Sequence, residues 1–112
     1  MDKSLFSNAF DLFEKTSPVF IALGEPIRQQ LILDLASATI ENKALSVADL
    51  TQLTHLSRPA VSHHLKILKS CGIIKPEKIG TQIFYKLCLR NKLSLVRELV
   101  NEIERLIPEL ES

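Results

Sequence analysis

The sequence predicts a mainly α-helical domain with a small β-hairpin, a winged helix-turn-helix of about five helices, on three observations. A short capped segment, a three-residue turn and a second capped segment follow one another between Ser46 and Gly72. Two β-prone runs around Gly80-Thr81 come directly afterwards, where a wing belongs. Long amphipathic patterns flank this unit on both sides. With 112 residues the chain reads as one domain, 1–112, able to bury a modest core but short for an enzyme with its own substrate cleft.

The elements follow in order. Residues 3–16 place Leu5, Phe6, Ala9, Phe10, Leu12 and Phe13 at helical spacing, with an aromatic face, and Pro18 is expected to end or bend this helix. Pro26 opens a second helix, where its missing N–H costs nothing. Leu31, Ile32 and Leu35 carry that helix to about Ser37, and ATIENKA follows as a polar connection. Ser46 with Asp49 three residues on is a capping-box start, and Val47, Leu50 and Leu53 give the short helix one buried stripe. The chain turns at Thr54-His55-Leu56, and Ser57 can cap the next helix, with Arg58-Pro59 in its first turn. That helix, Ala60 to Cys71, ends at Gly72, which fits a left-handed C′ position. Ile73–Ile79 and Gln82–Leu89 form the hairpin, so 46–72 is the helix-turn-helix and 73–89 the wing. The last helix, about Lys92 to Leu110, carries Leu95, Val96, Leu99, Val100, Ile103, Leu106, Ile107 and Leu110 on one side.

Composition excludes several functional classes. Hydrophobic residues at 46% and charged residues at 24% suit a soluble globular chain. No apolar run nears the roughly 18 residues of a membrane span, and VFIAL meets Gly24-Glu25-Pro26 at once. The acidic start MDKSLFSNAFDLFEK is not expected to act as a secretory signal, and two cysteines without secretory context suit a reducing cytoplasm. No Gly-rich phosphate loop, Ser/His/Asp set or paired carboxylates in an apolar setting point to catalysis or a cofactor.

Net charge is +1, yet it is unevenly placed. Arg58, Lys66, Lys69, Lys75, Lys78, Lys86, Arg90 and Lys92 face one anion, Glu77, so residues 58–92 carry +7 and the rest −6. Such concentration marks a polyanion-binding surface, because each cation that meets a phosphate releases condensed counterions. A solvated basic face without a partner would give the same count.

The stretch SRPAVSHHLKILKSCG sharpens the question, since it puts two histidines, two lysines and a cysteine on one helix. At about 100° per residue, Val61, Leu65 and Leu68 form the core stripe, and Pro59, His63, Lys66 and Ser70 point away. Ser62 and Ala60 sit on the flanks, and His64 lies nearer the protein body. A face of His, Lys and small residues suits a major groove, with Arg58 at the end where recognition helices enter. Adjacent residues diverge on a helix, so His63 and His64 cannot share one ion. His64 and Cys71 stand two turns apart, roughly 10 Å in rise, too far for ligands at about 2.0–2.3 Å. Cys71 at a helix C-terminus is disfavoured as a thiolate, and Cys88 in FYKLCL reads as a packing residue. No metal is expected; a thiol-based redox response and a protein-interaction module stay open as alternatives.

ALGEPIRQQLILDL and SVADLTQLTHLSRPAVSHHLKILKSCGIIKPEKIGTQIFYKL together resemble the ArsR/SmtB family of bacterial winged-helix repressors over roughly Ala22 to Leu87. The resemblance implies a homodimer that binds double-stranded operator DNA and releases it on an effector signal. It implies DNA contacts through Arg58, Pro59, Ser62 and His63, with the wing tip at Lys78, Gly80, Thr81 and Gln82. Ser62 and His63 would read base edges and Arg58 a guanine or a phosphate, while Lys66, Lys69, Lys78 and Gln82 would hold the backbone. Pro59 departs from the usual small polar residue, and His55 replaces the common turn glycine. SVADLTQLT lacks the family's cysteine motif, and the last helix lacks His and Asp, so both usual metal sites are missing. The effector is then expected to be an unknown small molecule or protein. Family members pair through the first and last helices, here 3–16 and 92–110, which makes Phe6, Phe10, Phe13, Leu95, Leu99, Ile103 and Leu106 the expected dimer interface. A twofold dimer would set its recognition helices about 34 Å apart, over half-sites one helical turn apart.

Overall fold

The structure, a computed structural model, describes residues 3–112. The elements run α1 (Lys3–Leu23), α2 (Pro26–Ile40), β1 (Leu45–Ser46), α3 (Val47–Thr54), α4 (Arg58–Ser70), β2 (Ile74–Ile79), β3 (Gln82–Leu87) and α5 (Arg90–Leu110). The three strands form one antiparallel sheet in the order β1-β3-β2.

Burial of Leu31, Leu35, Leu50, Val61, Leu65, Leu68, Ile73 and Ile74 builds one core between α2, the helix-turn-helix and the sheet. Each such side chain contributes about 1.5–3 kcal/mol relative to an exposed one. Val61, Leu65 and Leu68 are the stripe expected for α4, which turns the opposite side of that helix to solvent.

Local chemistry fixes the recognition unit. Ser46 accepts from the Asp49 amide while the Asp49 carboxylate accepts from the Ser46 amide, a complete capping box at the start of α3. His55 ends α3 in the left-handed region at φ 58°, the sharp corner between the two helices. Ser57 caps α4 by accepting from the Ala60 amide. Gly72, at φ 81°, closes α4, and the Ile73 amide reaches back to the Leu68 carbonyl at 3.0 Å.

Several expected boundaries move, among them the start of β2, at Ile74 rather than Ile73, the end of β3, at Leu87 rather than Leu89, and the start of α5, at Arg90 rather than Lys92. Pro18 neither ends α1 nor limits it to 3–16; the helix continues to Leu23. Val19 and Ala22, beyond the proline, are buried in the core, and that burial outweighs the lost hydrogen bond. Helix α2 extends past Ser37 to Ile40, since Ala38 is also buried, and Asn42 at φ 57° makes the stop. Helix α4 starts at Arg58 rather than Ala60, and Cys71 is its cap rather than its last residue. The two-residue strand β1 was hidden in a stretch too short to show alternation.

Helices α1 and α5 pack on each other and reach away from the core, stretching the molecule to 54 Å against 25 and 21 Å. Leu99 and Leu106, expected at a dimer interface, are buried in the chain's own fold together with Ala9 and Leu12, and expose no surface to a partner. The apolar side chains that face outward are instead Phe10, Phe13 and Phe20 on α1, and Leu93, Val100 and Ile107, seven residues apart, on α5. Phe6, Leu95 and Ile103 are half-buried. Between the long helices lies a buried carboxylate, Glu102, which accepts from Asn8 and from Arg105.

Candidate nucleic-acid interface

Over its 13 residues α4 presents Arg58, Pro59, Ser62, His63, Lys66, Lys69 and Ser70 to solvent. The amphipathic spacing of that helix causes this, because a stripe of Val61, Leu65 and Leu68 drawn inward leaves the remaining face outward. The expected α4 contact residues are thus brought together on one accessible side.

The wing carries further exposed cations. Ile79 pairs with Gln82 across a tight tip in which Gly80 adopts φ 63° with open space around it. Lys78, Gly80, Thr81 and Gln82 are all exposed there. Lys75 stands directly opposite Lys86 in the ladder, a like-charge pair that a sheet keeps only at a cost unless counter-charges relieve it. Lys86 draws partial relief from Glu77 at 3.4 Å, the single ion pair that any cation of 58–92 makes among the described residues. The other cations are unmatched, and all but the half-buried Lys92 are solvent-exposed. Lys75 and Lys86 add to the positive charge of the wing, which sequence reasoning counted without assigning these two a contact.

The two histidines part ways. His63 is exposed; His64 is half-buried and turned to the body, with ring centroids 5.7 Å apart and planes tilted by 60°. His64 Nδ1 lies 3.1 Å from Arg28 Nη1. A guanidinium only donates, so Nδ1 carries the lone pair and the ring is neutral with its proton on Nε2. Burial first, then the charges of Arg28 and His63, hold the His64 pKa below its ordinary value of 6.5, with Glu25 opposing.

Arg28 itself is nearly fully buried. Its Nε donates to the Ala22 carbonyl at 2.7 Å and its Nη2 to the Ile21 carbonyl at 3.1 Å, so it caps the C-terminal end of α1. Sequence reasoning missed this arginine. A signal was present: Arg28, Leu31 and Leu35 stand three and seven residues apart on one face of α2, the face that turns inward.

A cleft of about 440 Å³ borders the exposed side of α4, with Pro18 and Ile21 of α1 forming one wall and His63, Lys66 and Ile67 the other. Among the described residues no three His, Cys, Asp or Glu side chains are grouped as a metal would require. No described helix is long and apolar enough to cross a membrane. Cys71 is buried, its thiol donating to the Leu68 carbonyl, and Cys88 is half-buried in the chain that leaves β3.

Comparison with known proteins gives this geometry a context. Residues 26–75 match the model of the family described as "Bacterial regulatory protein, arsR family". An uncharacterised HTH-type transcriptional regulator of Methanocaldococcus jannaschii is 36% identical over 98 residues, 88% of this chain and 97% of that protein. A transcriptional repressor SmtB homolog of Synechocystis is 30% identical over 86% of this chain and 69% of its own length. Among solved structures, the homodimeric winged helix-turn-helix DNA-binding domain of Mb0332 from Mycobacterium bovis superposes with a TM-score of 0.64 at 21% identity. The match spans 96% of this chain and 91% of that one.

Proposed function

Because the chain belongs to the arsR family of helix-turn-helix transcriptional regulators, we propose that it represses transcription by binding a palindromic operator as a homodimer. One observation carries this reading. His63, Lys66 and Lys69 lie on the solvent side of α4, and the wing that follows it adds further exposed lysines, on a chain otherwise net negative.

Each contact has a stated role. Ser62 and His63 meet base edges in the major groove, and Arg58, at the leading end of α4, takes a guanine or a phosphate. Lys66, Lys69, Lys78 and Gln82 neutralise and grip the backbone, with Gly80 and Thr81 letting the wing tip approach closely. Pro59 adds van der Waals contact but no donor.

The partner copy is inferred from unpaired apolar surface. Phe10 is 63% exposed and Ile21 70%, and Val100 and Ile107 form a second stripe on α5. Solvent-facing aromatic and aliphatic side chains in stripes of this length mark an association surface. The fold relative from Mycobacterium bovis is itself described as homodimeric. Joining two copies through α1 and α5 would present both recognition helices to one face of a duplex. The helix before α4 carries no cysteine and α5 no His or Asp, which favours a small molecule or protein over a metal as the effector, acting in the cytoplasm.

In vitro selection of bound duplexes from a random pool tests the reading. Enrichment of an inverted repeat with half-site centres one helical turn apart is expected. Recovery of a single unrepeated half-site would remove the dimer, and recovery of no sequence would remove operator binding.

A further inference from the structure

Arg28 touches three helices at once. It belongs to α2, it donates to the last carbonyls of α1 through Nε and Nη2, and it donates to His64 of α4 through Nη1. Among the described residues no other side-chain hydrogen bond joins α4 to another helix or strand; apart from its Ser57 cap the helix is seated by apolar contact. Apolar packing fixes depth well and rotation about the helix axis poorly, whereas a hydrogen bond to a buried guanidinium fixes a direction. His64 is the immediate neighbour of His63, so the bond that orients one ring also sets where the next side chain emerges.

We infer that Arg28 and His64 form a positioning strut, which holds α4 at one angle to the end of α1 and so sets the pose in which His63 and Lys66 meet DNA. The inference rests on operator binding through α4. It goes further in naming residues that touch no DNA and yet govern recognition. Since α1 is also a helix of the inferred dimer, the strut ties the recognition helix to the element that fixes the distance between half-sites.

The strut works in one protonation state only. Neutral His64 accepts at Nδ1; a protonated ring has donors at both nitrogens and would face the Arg28 charge at 3.1 Å. The charged or titratable groups facing His64 are Arg28 and Glu25 at the start of α2 and His63 on α4 itself. The α1 side of this contact reaches Arg28 through the backbone carbonyls of Ile21 and Ala22. The bond is intact while the ring is neutral and is lost as pH falls through the folded-state pKa, which burial first, then Arg28 and His63, hold below 6.5.

The test uses the full chain, a selected operator, and versions of it with the half-site spacing changed by one base pair. His64→Asn keeps an acceptor where Nδ1 stands and cannot titrate; His64→Leu removes the acceptor at similar volume. At pH 7.5, H64L is expected to bind about tenfold more weakly and to lose preference for the native spacing, while H64N restores both. Between pH 7.5 and 5.5, wild type should lose more affinity than H64N. An H64L protein with wild-type affinity and spacing preference overturns the strut, and so do superimposable pH profiles of wild type and H64N. Should H64L fail to fold, the comparison of wild type with H64N decides alone. A wild-type chain that enriches no sequence overturns operator binding and the strut together, whereas an unaltered H64L on an enriched operator overturns the strut only.

Discussion

The alkyl stem of Lys92 lies over Gly72, so close that a β-carbon at residue 72 would stand 2.8 Å from Lys92 Cε. The start of α5 thus leans on the end of the recognition helix. Two effects oppose a side chain here, and they differ in size. The contact is with the far end of a flexible lysine, which can swing aside. The backbone at φ 81° cannot, because the left-handed region costs an L-residue about 1–2 kcal/mol. Gly72→Ala should therefore destabilise by about that amount in denaturant unfolding, and Gly72→Asn by less. Adding Lys92→Ala to G72A should recover little; a full recovery would show that the clash, not the backbone, dominates.

The two kinds of contact inferred for DNA separate in titrations. Lys78→Ala should weaken binding alike on specific and random duplexes and lower the slope of log affinity against log salt by about one. His63→Ala should leave that slope nearly unchanged and relax discrimination at one or two base pairs, by about 1–3 kcal/mol. An unchanged isotherm for both variants would mean that α4 and the wing do not form the docking face.

Oligomeric state offers an independent check. Phe10 and Val100 are 63% and 45% exposed in the single chain, so Phe10→Glu and Val100→Glu should leave monomer stability within about 0.5 kcal/mol. In sedimentation the double variant should run as a monomer at concentrations where wild type is dimeric, and operator affinity should fall with it. A dimer that survives both charges pairs through some other surface.

Acid should expose the carboxylate between α1 and α5. Hydrogen bonds from Arg105, then from Asn8, hold the Glu102 pKa below its ordinary value of 4.5, against the opposing effect of burial. A group with a lowered folded pKa lends stability that is complete above the unfolded value and fades as pH drops through the folded one. Wild-type melting temperature should accordingly fall more steeply below pH 4.5 than that of Glu102→Gln. Parallel curves would show that the carboxylate gains nothing from its two partners.

The recognition unit was legible because its signals are local. Ser46 and Asp49, Ser57, Gly72 and the Val61-Leu65-Leu68 spacing each act within a few residues, and every one operates as read. Pro18 was misread because what keeps α1 helical, the burial of Val19 and Ala22 against elements far along the chain, has no local trace. Leu99 and Leu106 were misassigned for a related reason. Periodicity gives the apolar side of α5, but that side is wide enough to face both α1 and solvent, and only packing divides it. Arg28 was the costliest omission, since a charge on an inward face looks like an exception until its three acceptors are known.

Ser46 does two jobs at once, as the last residue of β1 paired with Phe84 and as the N-cap of α3. The hairpin and α3, the helix on which α4 packs, are consequently joined through that residue and would approach a duplex as one stiff caliper, with a fixed gap between its jaws. A gauge of that kind responds to the width and bendability of the DNA it closes on, as well as to the bases under it.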